Sequence, residues 1–258
     1  MTQYAFTIVA AVNNRKVLQQ NLLRSPGLAE GSPHQLLVKE GYRSASAAYD
    51  SAMDEASNDI VVFVHQDVYL PPAWFDHLAA SLEALDRKGQ PWGVLGCFGT
   101  RKDCNGLGRV YSTGWGLQGT ELQQPEPVDT LDEIVLIVRK SSGLRFDTTL
   151  PYFHMYGVDI CLSARHAGLP CFAIPAFCVH NTNQLLKLPS DFYACYWWIK
   201  SKWSAYLPIY SSCITISRFD LPLRRRRLEE SFDGLRRVKR VPAKRIEDPR
   251  AALAGLNT

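Results

Sequence analysis

A chain of 258 residues with 46% hydrophobic and 21% charged side chains has the make-up of a globular protein able to bury a substantial core. Its net charge of only +4 argues against a nucleic-acid-binding body, because a phosphate backbone calls for a concentrated basic surface. Seven cysteines without a CxxC pair speak against a zinc cage and read as reduced, buried thiols of a cytoplasmic protein.

Met1-Thr2-Gln3-Tyr4 lacks a basic stretch before its apolar run, so no secretory leader is expected, and no apolar run reaches membrane-spanning length. The stretch Phe6-Thr7-Ile8-Val9-Ala10-Ala11-Val12 ends in Asn13-Asn14, the pattern of a buried strand with a polar exit. Val17, Leu18, Leu22 and Leu23 then recur at helical spacing up to Pro26-Gly27. Leu36-Leu37-Val38 predicts a second strand, and Ser44 to Ser57 an alanine-rich helix with Tyr49 and Met53 on one side. Ile60 to Val64 is the clearest strand and runs into His65-Gln66-Asp67, after which Trp74 to Leu85 predicts a helix. This alternation implies an α/β fold with a mostly parallel sheet flanked by helices, in which ligands collect at the carboxyl ends of the strands.

The second half is less regular. Trp92 to Cys97 and Ile134 to Val138 are strand-like and are separated by a Gly-rich stretch from Gly106 to Gly119. Val158 to His166 predicts a helix closed by Gly168, and Cys171 to Val179 a further strand. Asp191 to Tyr210 is rich in Trp and Tyr. Beyond Pro222 the chain turns basic and helical, with Arg224 to Arg227 and a second basic run from Arg236 to Arg240.

The strand exit His65-Gln66-Asp67 is the first candidate for chemistry. A carboxylate there is placed to hold a divalent ion and, through it, a diphosphate, whose charge grows as a glycosidic bond breaks. A solvated loop aspartate beside a histidine is the plainer alternative. Three stretches extend the pattern: Ala45 to Pro71, with the strand leading into His65-Gln66-Asp67-Val68; Val128 to Gly168, with Asp129, Asp132, Arg139-Lys140, Phe146-Asp147 and His154-Met155-Tyr156-Gly157-Val158-Asp159; and His180-Asn181 with Lys202-Trp203 and Leu207-Pro208-Ile209. In order and spacing they resemble family 2 glycosyltransferases of the GT-A fold, in the bacterial branch with a His-Gln-Asp variant of the Asp-x-Asp motif. The resemblance covers roughly residues 4 to 218.

The resemblance implies roles. Asp67 matches the last acid of the metal-binding motif, and His180 a late histidine ligand, so the implied cofactor is a divalent metal, Mn2+ or Mg2+. His65 replaces the first acid, which weakens the attraction for a cation. Asp159 matches the catalytic-base position, with a helix-capping aspartate as the structural alternative. Ala10, Ala11, Asn13, Glu40, His65 and Gln66 match the nucleotide-sugar cradle, and Arg43 a phosphate contact; loop solvation explains them equally well. Arg139 and Lys140 are either phosphate clamps or a solvated strand edge. His154, Tyr156 and Trp203 fall on the acceptor side. The aromatics from Tyr193 to Tyr206 stack on an acceptor, meet a membrane interface or close the core.

The implied organisation is a GT-A domain over 1–218, with a nucleotide-sugar half (1–100) and an acceptor half (101–218), and a basic C-terminal tail over 219–258. The implied function is metal-dependent inverting transfer of a sugar from a nucleotide-diphospho-sugar, a UDP-sugar by preference, to a glycan, lipid-linked or small-molecule hydroxyl acceptor. Bacterial surface-glycan or glycosylated-metabolite synthesis is the setting that fits, in the cytoplasm, with peripheral contact to the inner face of the membrane through the basic tail and no nucleic-acid partner. One rival is a nucleotidyltransferase, which usually shows a Gly-rich basic loop after the first strand that Ala10-Ala11-Val12-Asn13-Asn14 lacks. The other is a non-catalytic nucleotide-sugar-binding protein on the same fold, for which the altered acidic motif leaves room.

Overall fold

The computed structural model describes residues 4–235 and 241–254. Strands β1 (Thr7–Val12), β2 (Gln35–Glu40) and β3 (Ile60–Val64) alternate with helices α1 (Arg15–Gln20) and α2 (Ala45–Glu55). Both helices start on side-chain caps: Asn14 accepts from the amides of Lys16 and Val17, and Ser44 from that of Ala47. β4 (Val68–Tyr69) and α3 (Trp74–Arg87) follow. Next come β5 (Val94–Gly96), β6 (Phe98–Arg101), β7 (Cys104–Ser112), β8 (Gly116–Thr120), β9 (Glu126–Val128), β10 (Thr130–Leu131) and β11 (Val135–Arg139). The chain closes with α4 (Tyr156–His166), β12 (Cys171–Ala173), β13 (Cys178–His180), α5 (Ser190–Lys202), α6 (Leu221–Leu235) and α7 (Ala251–Ala254).

The main sheet has the order β2-β1-β3-β11-β5-β12-β9, and five of its seven strands run in one direction, β11 and β9 being reversed. The expected α/β class is therefore observed. Strands from the first and second halves of the chain are neighbours in this one sheet, since β11 lies between β3 and β5. A second sheet has the order β10-β6-β7-β13-β4, with β8 on β7.

Alternate residues of the central strands feed opposite faces. Val9, Val61 and Phe63 pack with α2, α4 and α5, whereas Ile8, Val62 and Val64 pack with Trp74, Leu78 and Leu82 of α3. Burial on both faces is why these strands read as unbroken apolar runs rather than alternating ones.

Two segments differ from expectation. The Gly-rich stretch forms the hairpin β7–β8, and its glycines serve close backbone approach: a Cβ at Gly108 would lie 2.1 Å from the Cys97 carbonyl oxygen. Cys171 to Val179 is two strands in different sheets, because Pro175 offers no amide and separates β12 from β13. After residue 218 the chain returns to the body: Leu223 is buried in the main core, and Ala252 packs with Tyr69 and Val179. The basic run Arg236 to Arg240 lies outside the described residues. Among the described residues no helix is long and apolar enough to cross a membrane.

Candidate functional site

The exits of β1 and β3 lie side by side because the strands are paired in parallel. Gln66 ties them together: its Oε1 accepts the amides of Asn13 (3.2 Å) and Asn14 (3.0 Å), and its Nε2 donates to Asn13 Oδ1 (2.6 Å). Beside this clamp is a cleft of about 500 Å³ whose lining includes Ala11, Asn13, Glu40, His65, Gln66 and Tyr156. His65 and Phe153 also line a second cleft of about 600 Å³, which continues over Asp67, Asp132, Glu133, His154 and His180. Both volumes fall in the range of small-molecule sites.

Where the clefts meet, His65, Asp67 and His180 offer ligand atoms that all lie within 4.8 Å of one another. Asp67 and His180 come together because β13 pairs with β4, placing His180 opposite Val68. His180 Nε2 is 3.5 Å from Asp67 Oδ1, and His65 Nε2 is 2.6 Å from the Tyr156 hydroxyl, a contact that sets the ring's orientation.

Asp67 is the anion of the site, and its charge is already met by its neighbours. Burial by itself opposes the charge on Asp67, but His180 beside it and the Arg245 hydrogen bond outweigh burial and hold the carboxyl well below its ordinary range. Burial and the neighbouring His180 push His65 down to about 4, so its ring is neutral near pH 7. Arg245 comes from beyond α6, and its Nη2 donates to Asp67 Oδ2 at 2.9 Å while its Nε donates to the Asn181 carbonyl at 3.0 Å. The buried Asn181 side chain anchors this strap, with Oδ1 accepting the Ile246 amide (2.8 Å) and Nδ2 donating to the Ile246 carbonyl (2.9 Å).

Several expected positions fall elsewhere. Ala10 is wholly buried in β1 on the α3 side, and the exposed Arg43 lines neither cleft. Glu40 reaches the first cleft but is held by Arg15, whose Nε lies 2.9 Å from Oε1. Arg139 pairs with Asp59 and Asp86, and Lys140 donates to the Ala56 carbonyl; Arg139 stands opposite Ile60, at the start of β3 and away from the clefts.

Asp159 sits inside the protein. Its side chain is only 2% exposed, lines neither cleft, and accepts at Oδ1 from Lys202 Nζ (2.8 Å) and Trp203 Nε1 (2.7 Å). Trp203 is likewise buried and lines neither cleft, and its bond to Asp159 joins α4 to the end of α5. Of the other acceptor-side residues, His154 lines the second cleft with Nε2 3.8 Å from Asp191 Oδ1, while Tyr156 lines the first. Sequence reasoning did not find Glu133 or Arg245. The first stands directly before a strand, a place that carries a weak signal, and nothing in the sequence around the second sets it apart.

No family model matches the chain. ORF 6 of the ATP synthase subunits region of Fuscovulum blasticum is 30% identical over 131 residues, which cover 49% of this chain and 52% of that protein. The chain thus spans about half the length of this curated relative. Among solved structures, residues 1–349 of S. aureus TarS align with a TM-score of 0.45 at 14% identity, covering 77% of this chain and 65% of that one. The mannosyltransferase PcManGT of Pyrobaculum calidifontis, solved with GDP-Man and Mn2+, aligns with a TM-score of 0.44 at 15% identity over 68% of this chain and 56% of its own.

Proposed function

We propose that this protein is a metal-dependent inverting glycosyltransferase of the GT-A kind, transferring a sugar from a nucleotide-diphospho-sugar, a UDP-sugar by preference, to a hydroxyl acceptor. The observation that carries the reading is the junction of two clefts at His65, Asp67 and His180. The first cleft, at the carboxyl ends of the parallel strands, is the place for the nucleotide, and the second for the acceptor.

The residues present fit a divalent ion, because His65, Asp67 and His180 offer two imidazole nitrogens and a carboxylate oxygen within 4.8 Å of one another. Two nitrogen donors and one carboxylate favour Mn2+ over Mg2+. When bound, the ion supplies positive charge to a leaving diphosphate. The chain's own residues prepare the site around it. Gln66 fixes the strand exits, Tyr156 orients His65, and Arg245 neutralises Asp67 and is a cation at hand for a diphosphate once released.

For the tail, the reading includes a peripheral contact with an anionic membrane. Leu221, Leu228 and Phe232 share one face of α6 and are 65%, 60% and 64% exposed, with Arg224 and Arg225 at its flanks.

The test is calorimetric binding and turnover of UDP-glucose, UDP-galactose, UDP-N-acetylglucosamine and GDP-mannose with Mn2+, Mg2+ or a chelator. Release of nucleoside diphosphate that Mn2+ supports and the chelator abolishes is the expected result. Failure to bind any of the four donors under any of these conditions overturns the reading.

A further inference from the structure

With Asp159 turned away, the acceptor cleft needs another group to take a proton, and its acidic side chains differ sharply in what they already hold. Asp67 is bonded to Arg245 and lies beside His180. Asp132 accepts the Ile134 amide at Oδ1 (3.1 Å) and the Ser212 hydroxyl at Oδ2 (2.5 Å). Glu133 also lines this cleft and is partly exposed, and its Oε1 accepts the backbone amide of Gly157 at 3.3 Å. Among the described residues no side chain donates to its carboxylate, the Tyr156 hydroxyl reaching only the Glu133 backbone carbonyl at 3.2 Å.

A second observation comes from the helix above it. Gly157 sits in the first turn of α4, and glycine is a weaker helix former than alanine. Its backbone does not require glycine, since its φ is not positive. The need is spatial: a Cβ there would lie 2.9 Å from Glu133 Cγ and 3.0 Å from the Leu131 carbonyl oxygen. The missing side chain is what admits Glu133 under the start of α4.

We propose that Glu133 is the general base that takes the proton of the acceptor hydroxyl, with Gly157 kept small to make room for it. This rests on the glycosyl-transfer reading above. In the step, the acceptor O–H proton passes to the Glu133 carboxylate while the acceptor oxygen bonds to the anomeric carbon. The bond from that carbon to the diphosphate oxygen breaks, its electron pair leaves with the nucleoside diphosphate, and Glu133 later returns the proton to water. With no other acceptor present, a water molecule takes the place of the hydroxyl.

The surroundings tune the group for this task. Burial, then the charge of Asp132, push the Glu133 carboxyl well above its ordinary range, while the amides of Gly157, Met155 and Tyr156 act in the opposite sense. Tyr49, Tyr156, Cys195 and Cys213 also sense its charge, and His154 lines the same cleft. A carboxylate of raised proton affinity is a stronger base once ionised.

The test compares wild type with Glu133→Gln, Glu133→Asp and Gly157→Ala, using Mn2+-supported hydrolysis of the same four nucleotide sugars, donor binding by calorimetry, and a pH–rate profile. Glu133→Gln is expected to bind donor like wild type and to lose roughly 10²–10⁴-fold in turnover together with the rise of rate with pH. Glu133→Asp restores part of the rate. Gly157→Ala, which crowds Glu133 without touching its chemistry, lowers turnover while donor affinity holds. Wild-type turnover and pH profile in Glu133→Gln overturn this proposal alone. Should Glu133→Gln fail to fold, a folded Gly157→Ala with an unchanged rate overturns it. A wild-type protein that binds none of the donors overturns the glycosyl-transfer reading, and this proposal with it.

Discussion

Replacing Asp159 separates a structural staple from a catalytic base. Its Oδ1 receives Lys202 Nζ at 2.8 Å and the Trp203 indole N–H at 2.7 Å, both inside the protein. Asp159→Ala removes the shared acceptor of both bonds and strands a buried Trp203 N–H, at about 1–3 kcal/mol for an unpaired buried donor. Lys202 keeps a second partner, with Asp147 Oδ2 at 2.8 Å, so the loss on its side is smaller. The net is about 2–4 kcal/mol, or about 5–15 °C in melting temperature for a chain of this size. Asp159→Asn retains a carbonyl oxygen at the same place. Burial already raises the proton affinity of Asp159 against the bonds from Lys202 and Trp203, so a neutral side chain gives up a charge that the site tolerates poorly. The Asn variant is therefore expected to lose less than half as much stability as the Ala variant and to keep its turnover. Thermal melts paired with Mn2+-supported donor hydrolysis make the measurement. If Asp159→Asn melts like wild type but turns over roughly 10²–10⁴-fold more slowly, Asp159 is a base after all and the staple account fails.

Three further outcomes follow from the same geometry. Glu133 has a folded-state pKa above its ordinary 4.5, so the folded state holds the proton more tightly than the unfolded one, and stability is lost as pH rises from about that value through the folded pKa. Glu133→Gln should melt higher than wild type at pH 8 and converge with it near pH 4, each tenfold weakening of ionisation being worth about 1.4 kcal/mol; equal melting curves at both pH values count against this burial cost. Arg245→Ala frees Asp67 from a charge-assisted bond worth about 1.5–3 kcal/mol, so Mn2+ affinity measured by calorimetry should rise about 10- to 100-fold, whereas Asp67→Ala should abolish it; unchanged affinity in Arg245→Ala would show that the guanidinium and the ion do not compete. Leu228→Asp with Phe232→Asp should abolish sedimentation with phosphatidylserine vesicles while sparing donor hydrolysis, and binding that ignores both the substitutions and added salt removes the membrane contact from the reading.

How much of this was readable before the structure depends on whether each feature is local. The strand Ile60–Val64 was legible to the residue, because a run of β-branched and aromatic side chains buried on both faces leaves one reading. Its exit, Asp67, followed directly. His180 could be placed only through motif order, and the pairing of β13 with β4 that brings it to Asp67 is a long-range event with no local trace. The surroundings of Asp159 were not legible. The helix expected from Val158 begins two residues earlier, at Tyr156, and within its first turn the Asp159 side chain meets Lys202 and Trp203 at the end of α5, a long-range contact with no local trace. The same shift puts Gly157 in the first turn, facing Glu133. A carboxylate supplied from the foot of β11 cannot be found by reading along α4. What α4 does carry is the imprint of its neighbour, a glycine in a helical turn that needs no glycine conformation. That imprint is the kind of local anomaly from which a residue on another element can be inferred, provided the two elements are known to touch.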